Sequence, residues 1–113
     1  MANAKTIIYP VGDLARAKEV FTSLAGARPY VDEVYYVGYR VGDQEIGLDP
    51  NGHRQGMTGP VCYWEVDDIH AGLQRLLVAG AVLRQDVTEV GGGRLVATVT
   101  DHDGNDLGLV QDR

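Results

Sequence analysis

The feature that most constrains this chain is an internal duplication. Val11-Gly-Asp-Leu14 stands 55 residues before Val66-Asp-Asp-Ile69, and Glu45-Ile-Gly-Leu48 stands 61 residues before Asp106-Leu-Gly-Leu109. A repeat of this period means that one supersecondary unit is used twice, so fold and core must be read for the unit. Lys5–Val11 is a short run rich in β-branched residues and reads as a strand. Asp13 suits a helix N-cap, and apolar residues recur at Leu14, Ala17, Val20, Phe21 and Leu24 up to Gly26, a C-terminal stop. Val34–Val41 reads as a long strand, with Gly42-Asp43 turning into a further one over Gln44–Asp49. Residues 50–60 are turn-rich and read as a linker.

The second copy follows the same order. Val61–Val66 is a strand, and a helix begins near Asp68 and ends near Gly80 with Ile69, Leu73, Leu76 and Leu77 on one stripe. Arg94–Thr100 and Asp106–Val110 are strands joined by an Asp103-Gly104 turn. The expected fold class is α+β: two tandem βαβββ modules, about 4–52 and 60–111, within one domain, with mostly antiparallel sheets and their helices on one face. A chain of 113 residues buries roughly two-thirds of its unfolded surface, enough for a core without cross-links. One Cys forms no internal bridge, which fits a reducing compartment. No apolar run approaches the ~20 residues of a membrane span, and Met1–Thr6 shows no secretory signal, so the expectation is a cytoplasmic protein without a membrane partner. Net charge is −6 and the ten bases are scattered, which argues against nucleic-acid binding.

Val11–Phe21, Val66–Ile69 and Asp101-His-Asp-Gly-Asn105, taken in this order, resemble the vicinal oxygen chelate superfamily of glyoxalase, bleomycin-resistance and extradiol dioxygenase domains. His102 stands where that family usually has Pro. The resemblance implies sheets curled into an open cup with helices outside, and a homodimer. It also implies four metal-ligand positions, which here are Thr6, Gly47, Val61 and Gly108. None is a His or a carboxylate, so the resemblance leans to members that bind ligands without metal or cofactor. A glyoxalase- or dioxygenase-like enzyme with an atypical site is the alternative, and an interaction module a third.

Strand alternation selects the cup-facing sets: Thr6, Ile8 and Pro10; Glu45, Gly47 and Asp49; Val61, Tyr63 and Glu65; Asp106, Gly108 and Val110. From these, Thr6, Ile8, Glu45, Asp49, Tyr63, Glu65 and Asp106 are the expected ligand-binding residues. No Lys or Arg falls within the sets, the glycines leave room, and an acidic, partly aromatic cup suits a cationic or aromatic small molecule. At least one of Tyr35, Tyr36 and Tyr39 also faces inward. His53, His70 and His102 have no paired ligand spacing and read as solvent-facing. Cys62 and Trp64 read as core, and Gly91-Gly-Gly93 as a loop between strands. No catalytic residue is assigned.

Overall fold

The computed structural model describes residues 2–112. Its elements are β1 (Asn3–Pro10), α1 (Leu14–Ala25), β2 (Val31–Glu33), β3 (Tyr36–Val41), β4 (Gln44–Asp49), β5 (Val61–Glu65), α2 (Ile69–Val78), β6 (Val82–Glu89), β7 (Leu95–Thr100) and β8 (Asp106–Gln111). This is an α+β chain in which strand, helix and three strands occur twice. Contacts divide it into an N-terminal unit, Thr6–Val61, and a C-terminal unit, residues 62–112 with 2–5, so β1 straddles the division.

Within the N-terminal unit the strand order is β2-β3-β4-β1. β1 runs parallel to β4 with Ile8 opposite Gly47, and β3 runs antiparallel to β4 with Gly38 opposite Gly47. Alternation puts Val37, Tyr39, Ile46 and Leu48 under α1, where Leu14, Ala17, Phe21 and Ala25 pack on them. In the C-terminal unit the order is β5-β8-β7-β6, with Tyr63 opposite Gly108 in the parallel pair and Thr98 opposite Gly108 in the antiparallel one. Ala97, Val99 and Leu109 lie under α2 with Ile69 and Leu73.

Both helices start as their sequence signals predict. The Asp13 carboxylate accepts from the Arg16 amide and the Asp68 carboxylate from the Ala71 amide, each at 3.1 Å, satisfying a donor the helix cannot. Gly26 ends α1 in the left-handed region, φ 69°, and its N–H returns to the Thr22 carbonyl.

Two expectations are corrected, and one strand appears that the sequence did not signal. The strand expected over Val34–Val41 begins at Tyr36, because Val34 and Tyr35 form the turn from β2 and stand exposed. β6 has no apolar alternation because it is an outer strand, exposed along most of its length and broken by register shifts after Leu83 and Gln85. Trp64 is 41% exposed rather than core. It lies on β5, whereas α2 packs over β6, β7 and β8, so its face is outside the helix footprint.

Candidate functional site

The chemistry-bearing residues gather on the sheet face that turns away from the helix in each unit. In the N-terminal unit that face carries Thr6 and Ile8 from β1, Tyr36, Gly38 and Arg40 from β3, and Glu45, Gly47 and Asp49 from β4. Thr6 is 3% exposed, and its hydroxyl donates to Glu45 Oε1 at 3.3 Å. Asp49 accepts from the Asn51 amide at 2.8 Å and shapes the turn after β4.

Gly47 is not open space. A Cβ there would collide with the Tyr36 hydroxyl and ring and lie 2.6 Å from Ile8 Cδ1. The Tyr36 ring covers this glycine, and a Cβ at Gly38 would stand 3.1 Å from Tyr36 and 3.2 Å from the Tyr30 ring. The Arg40 guanidinium stacks 4.3 Å from the Tyr30 centroid. Tyr30, Tyr36 and Arg40 therefore form one continuous surface around Gly38. Of the three tyrosines left open by the sequence, Tyr36 belongs to this face. Tyr39 points under α1, where its hydroxyl meets Thr22 Oγ1 at 2.8 Å and the Lys18 carbonyl at 3.1 Å. Tyr35 lies in the turn.

The C-terminal unit repeats the device with a different strand. A Cβ at Gly108 would collide with the Tyr63 ring, 2.7 Å from Cε2 and Cγ. The expectation that both glycines leave room for a ligand is thus corrected: each accommodates a tyrosine ring from its own unit, and the ring shields backbone that glycine leaves bare.

The charge expectation is corrected as well. Lys5 Nζ is 3.8 Å from Glu65, and Arg84 Nη1 is 3.3 Å from Asp106, which also accepts from Thr100 Oγ1 at 3.1 Å. Arg40 stands directly opposite Glu45 in the β3–β4 register. Three of the four expected carboxylates therefore have a base beside or opposite them, which flattens the negative field assigned to the cup. The bases were missed because alternation put Lys5 on the other face of its strand, the parity of Val34–Val41 was left open, and Arg84 lies on β6, a strand that the sequence did not signal. Tyr36 was left among three open tyrosines and Arg40 was missed for want of parity on β3, while Tyr30, which precedes β2, carried no signal. The apolar triplet Val37, Tyr39 and Val41 was the available signal, since it puts Tyr36, Gly38 and Arg40 on the other face.

The four positions that match metal ligands do not fit a metal ion. Thr6 is engaged with Glu45, Val61 and the two glycines offer no side-chain donor, and tyrosine rings cover both glycines. Among the described residues no three His, Cys, Asp or Glu side chains converge. His53, His70 and His102 are exposed. Burial pushes the Cys62 thiol above its ordinary pKa, which keeps it protonated and poorly nucleophilic.

Solved structures with this fold cover nearly the whole chain. A glyoxalase/bleomycin resistance protein/dioxygenase superfamily member from Vibrio splendidus 12B01 matches 99% of this chain and 100% of its own at 15% identity, TM-score 0.73. Methylmalonyl-CoA epimerase from Mycobacterium tuberculosis matches 97% of this chain and 87% of its own at 17% identity, TM-score 0.71. A hypothetical protein from Bacillus halodurans C-125 matches 99% and 95% at 13% identity, TM-score 0.78. No protein-family model and no curated protein matches the sequence. The chain thus has the vicinal oxygen chelate fold that its repeat suggests. Among the described residues no helix is long and apolar enough to cross a membrane.

Proposed function

We propose that this protein binds a small planar aromatic molecule without a metal, as a ligand-binding protein of the glyoxalase/bleomycin-resistance type. The observation that carries the reading is the surface made by Tyr36, Tyr30 and Arg40 around Gly38 and Gly47. Two rings held by glycine-backed contacts present π faces with little entropy left to lose, and a flat ligand gains apolar area by stacking on them. Thr6, Ile8, Glu45 and Asp49 border this surface. Tyr63, Glu65 and Asp106 form the corresponding face of the C-terminal unit.

The charge pairing narrows the ligand. With Lys5 at Glu65, Arg84 at Asp106 and Arg40 opposite Glu45, neutral aromatics come first and cationic ones second. Sequestration of such a compound in the cytoplasm by a homodimer is the biological role this chemistry suits. The enzymatic alternative takes its support from the epimerase that shares the fold.

The test is an NMR titration of chelator-treated protein with neutral, cationic and anionic aromatic fragments, repeated with Tyr36→Ala and Tyr30→Ala. Neutral fragments should shift resonances at Tyr36, Ile8 and Gly47, and both substitutions should weaken them by about tenfold or more, since aromatic contacts contribute on the order of 1 kcal/mol beyond their area. Best binding by anionic fragments, or hits indifferent to both substitutions, would refute the proposal. Light scattering at micromolar concentration tests the dimer, and a monomer there contradicts it.

A further inference from the structure

A second concavity lies on the opposite face of the N-terminal sheet, beneath the C-terminal half of α1. Its volume is about 200 Å³. Tyr9, Tyr39 and Ile46 form the floor, Phe21 and Ala25 the helix wall, and Leu24 and Val41 the rim with Gln44. Leu24 is 78% and Val41 46% exposed, so the mouth opens to solvent.

Beside this space α1 carries polar residues where α2 carries leucines. At the 55-residue spacing, Lys18 and Thr22 of α1 stand where α2 has Leu73 and Leu77. Leu73 is buried and Leu77 partly buried against the core of its own sheet. Lys18 instead reaches out to Asp32 at 3.1 Å, and Thr22 is engaged with the Tyr39 hydroxyl. That hydroxyl also donates to the Lys18 carbonyl, which pins the Tyr39 ring and stops it from swinging into the space. Tyr9 and Phe21, with centroids 4.9 Å apart and planes at 53°, brace the wall. The groove is a built feature of α1 and its sheet.

We infer that this groove is a second ligand site, taking a small uncharged aromatic ring. A dry cavity of roughly 150 Å³ lined by Leu, Ile and Phe accepts benzene, and the groove is of that order in size, open on one side, with a mostly apolar lining to which Tyr9, Tyr39 and Gln44 add polar edges. Aromatic side chains on two sides favour a ring over an aliphatic chain. A carboxylate or ammonium would leave water for an apolar lining without a counter-charge, so charged rings are excluded. The site is separate from the Tyr36 surface, because Tyr39 and Ile46 alternate with Gly38 and Gly47 and face the other way.

The test titrates the full chain with benzene and indole, with benzoate as the charged control, following the methyl resonances of Ile46, Leu24 and Val41. Benzene and indole should shift them saturably, and benzoate should not. Ala25→Leu fills the groove with a good helix former and should weaken both probes at least tenfold without lowering the melting temperature. Ala25→Val serves the same purpose should the larger side chain misfold. Tyr36→Ala should leave these shifts unchanged, which separates failure of this site from failure of the stacking surface. Absence of saturable shifts in the folded protein would overturn the inference, as would a dimer that Leu24→Asp dissociates, since a second copy would then cover the groove.

Discussion

The two helices are capped alike and packed differently. α2 buries Ile69 completely and Leu73 to 6% exposure, whereas α1 buries none of its twelve residues fully. α2 packs over β6, β7 and β8, whereas α1 packs over β3 and β4 and meets β1 through the Tyr9–Phe21 contact. Side-chain chemistry at two positions adds to that difference: leucines in α2, a lysine and a threonine in α1. A repeat fixes where a helix lies, while the residues at its interface decide whether it is locked down or leaves usable space.

The largest expected effect is the contrast between the helices. Ile69→Ala removes a completely buried side chain and should cost about 2–5 kcal/mol in denaturant unfolding. Leu14→Ala, its counterpart in α1, is only partly buried and should cost about 1 kcal/mol. Equal costs would erase the distinction.

Next come the tyrosine-covered glycines. Gly108→Ala forces a methyl against the Tyr63 ring and should cost about 1–3 kcal/mol. In a Tyr63→Ala background most of that cost should vanish, giving a large coupling energy in a double-mutant cycle. Gly47→Ala with Tyr36→Ala should couple in the same direction but less fully, because the contact with Ile8 Cδ1 remains. Additive costs would mean that the rings do not rest on the glycines.

A smaller effect is expected from Tyr39→Phe, which loses bonds to Thr22 and the Lys18 carbonyl and should cost about 1 kcal/mol. It should also loosen the groove, read as faster amide exchange in α1 while α2 is unaffected.

The smallest concerns pH and the turn after β7. Hydrogen bonds from the Asn105 side chain and backbone hold Asp101 below its ordinary pKa near 3.8, with the Asp103 amide adding to them. A depressed pKa means that the stabilisation is complete above the ordinary value and is lost as pH falls through the lower, folded-state value. The turn should therefore loosen only below about pH 4, and Asp101→Asn should flatten that dependence, as amide exchange at Asp103 and Asn105 would report.

Much of the fold was legible because the signals were local. Asp13, Gly26 and Asp68 sit at helix ends, where capping chemistry is a property of a few adjacent residues. β6 was hard to read because an exposed outer strand has no face to bury and so no alternation. At the site, strand parity correctly grouped Thr6 with Glu45 and Tyr63 with Gly108. What parity could not supply was occupancy. A glycine in a strand reads equally as room for a ligand or as a seat for a neighbouring ring, and only the positions of Tyr36 and Tyr63 decide. The pairing of Arg84 with Asp106 was likewise invisible, because it joins residues 22 apart in the chain across an intervening strand.

The central claim of the proposed function is that tyrosine rings cover the two glycines at the positions matching metal ligands, leaving no site for a metal ion. The most direct test is thermal unfolding of chelator-stripped protein titrated with Zn²⁺ and Ni²⁺. Site-specific binding to the native state raises the melting temperature with metal concentration. The account predicts no saturable rise. A saturable rise that Thr6→Ala or Glu45→Gln abolishes would contradict it.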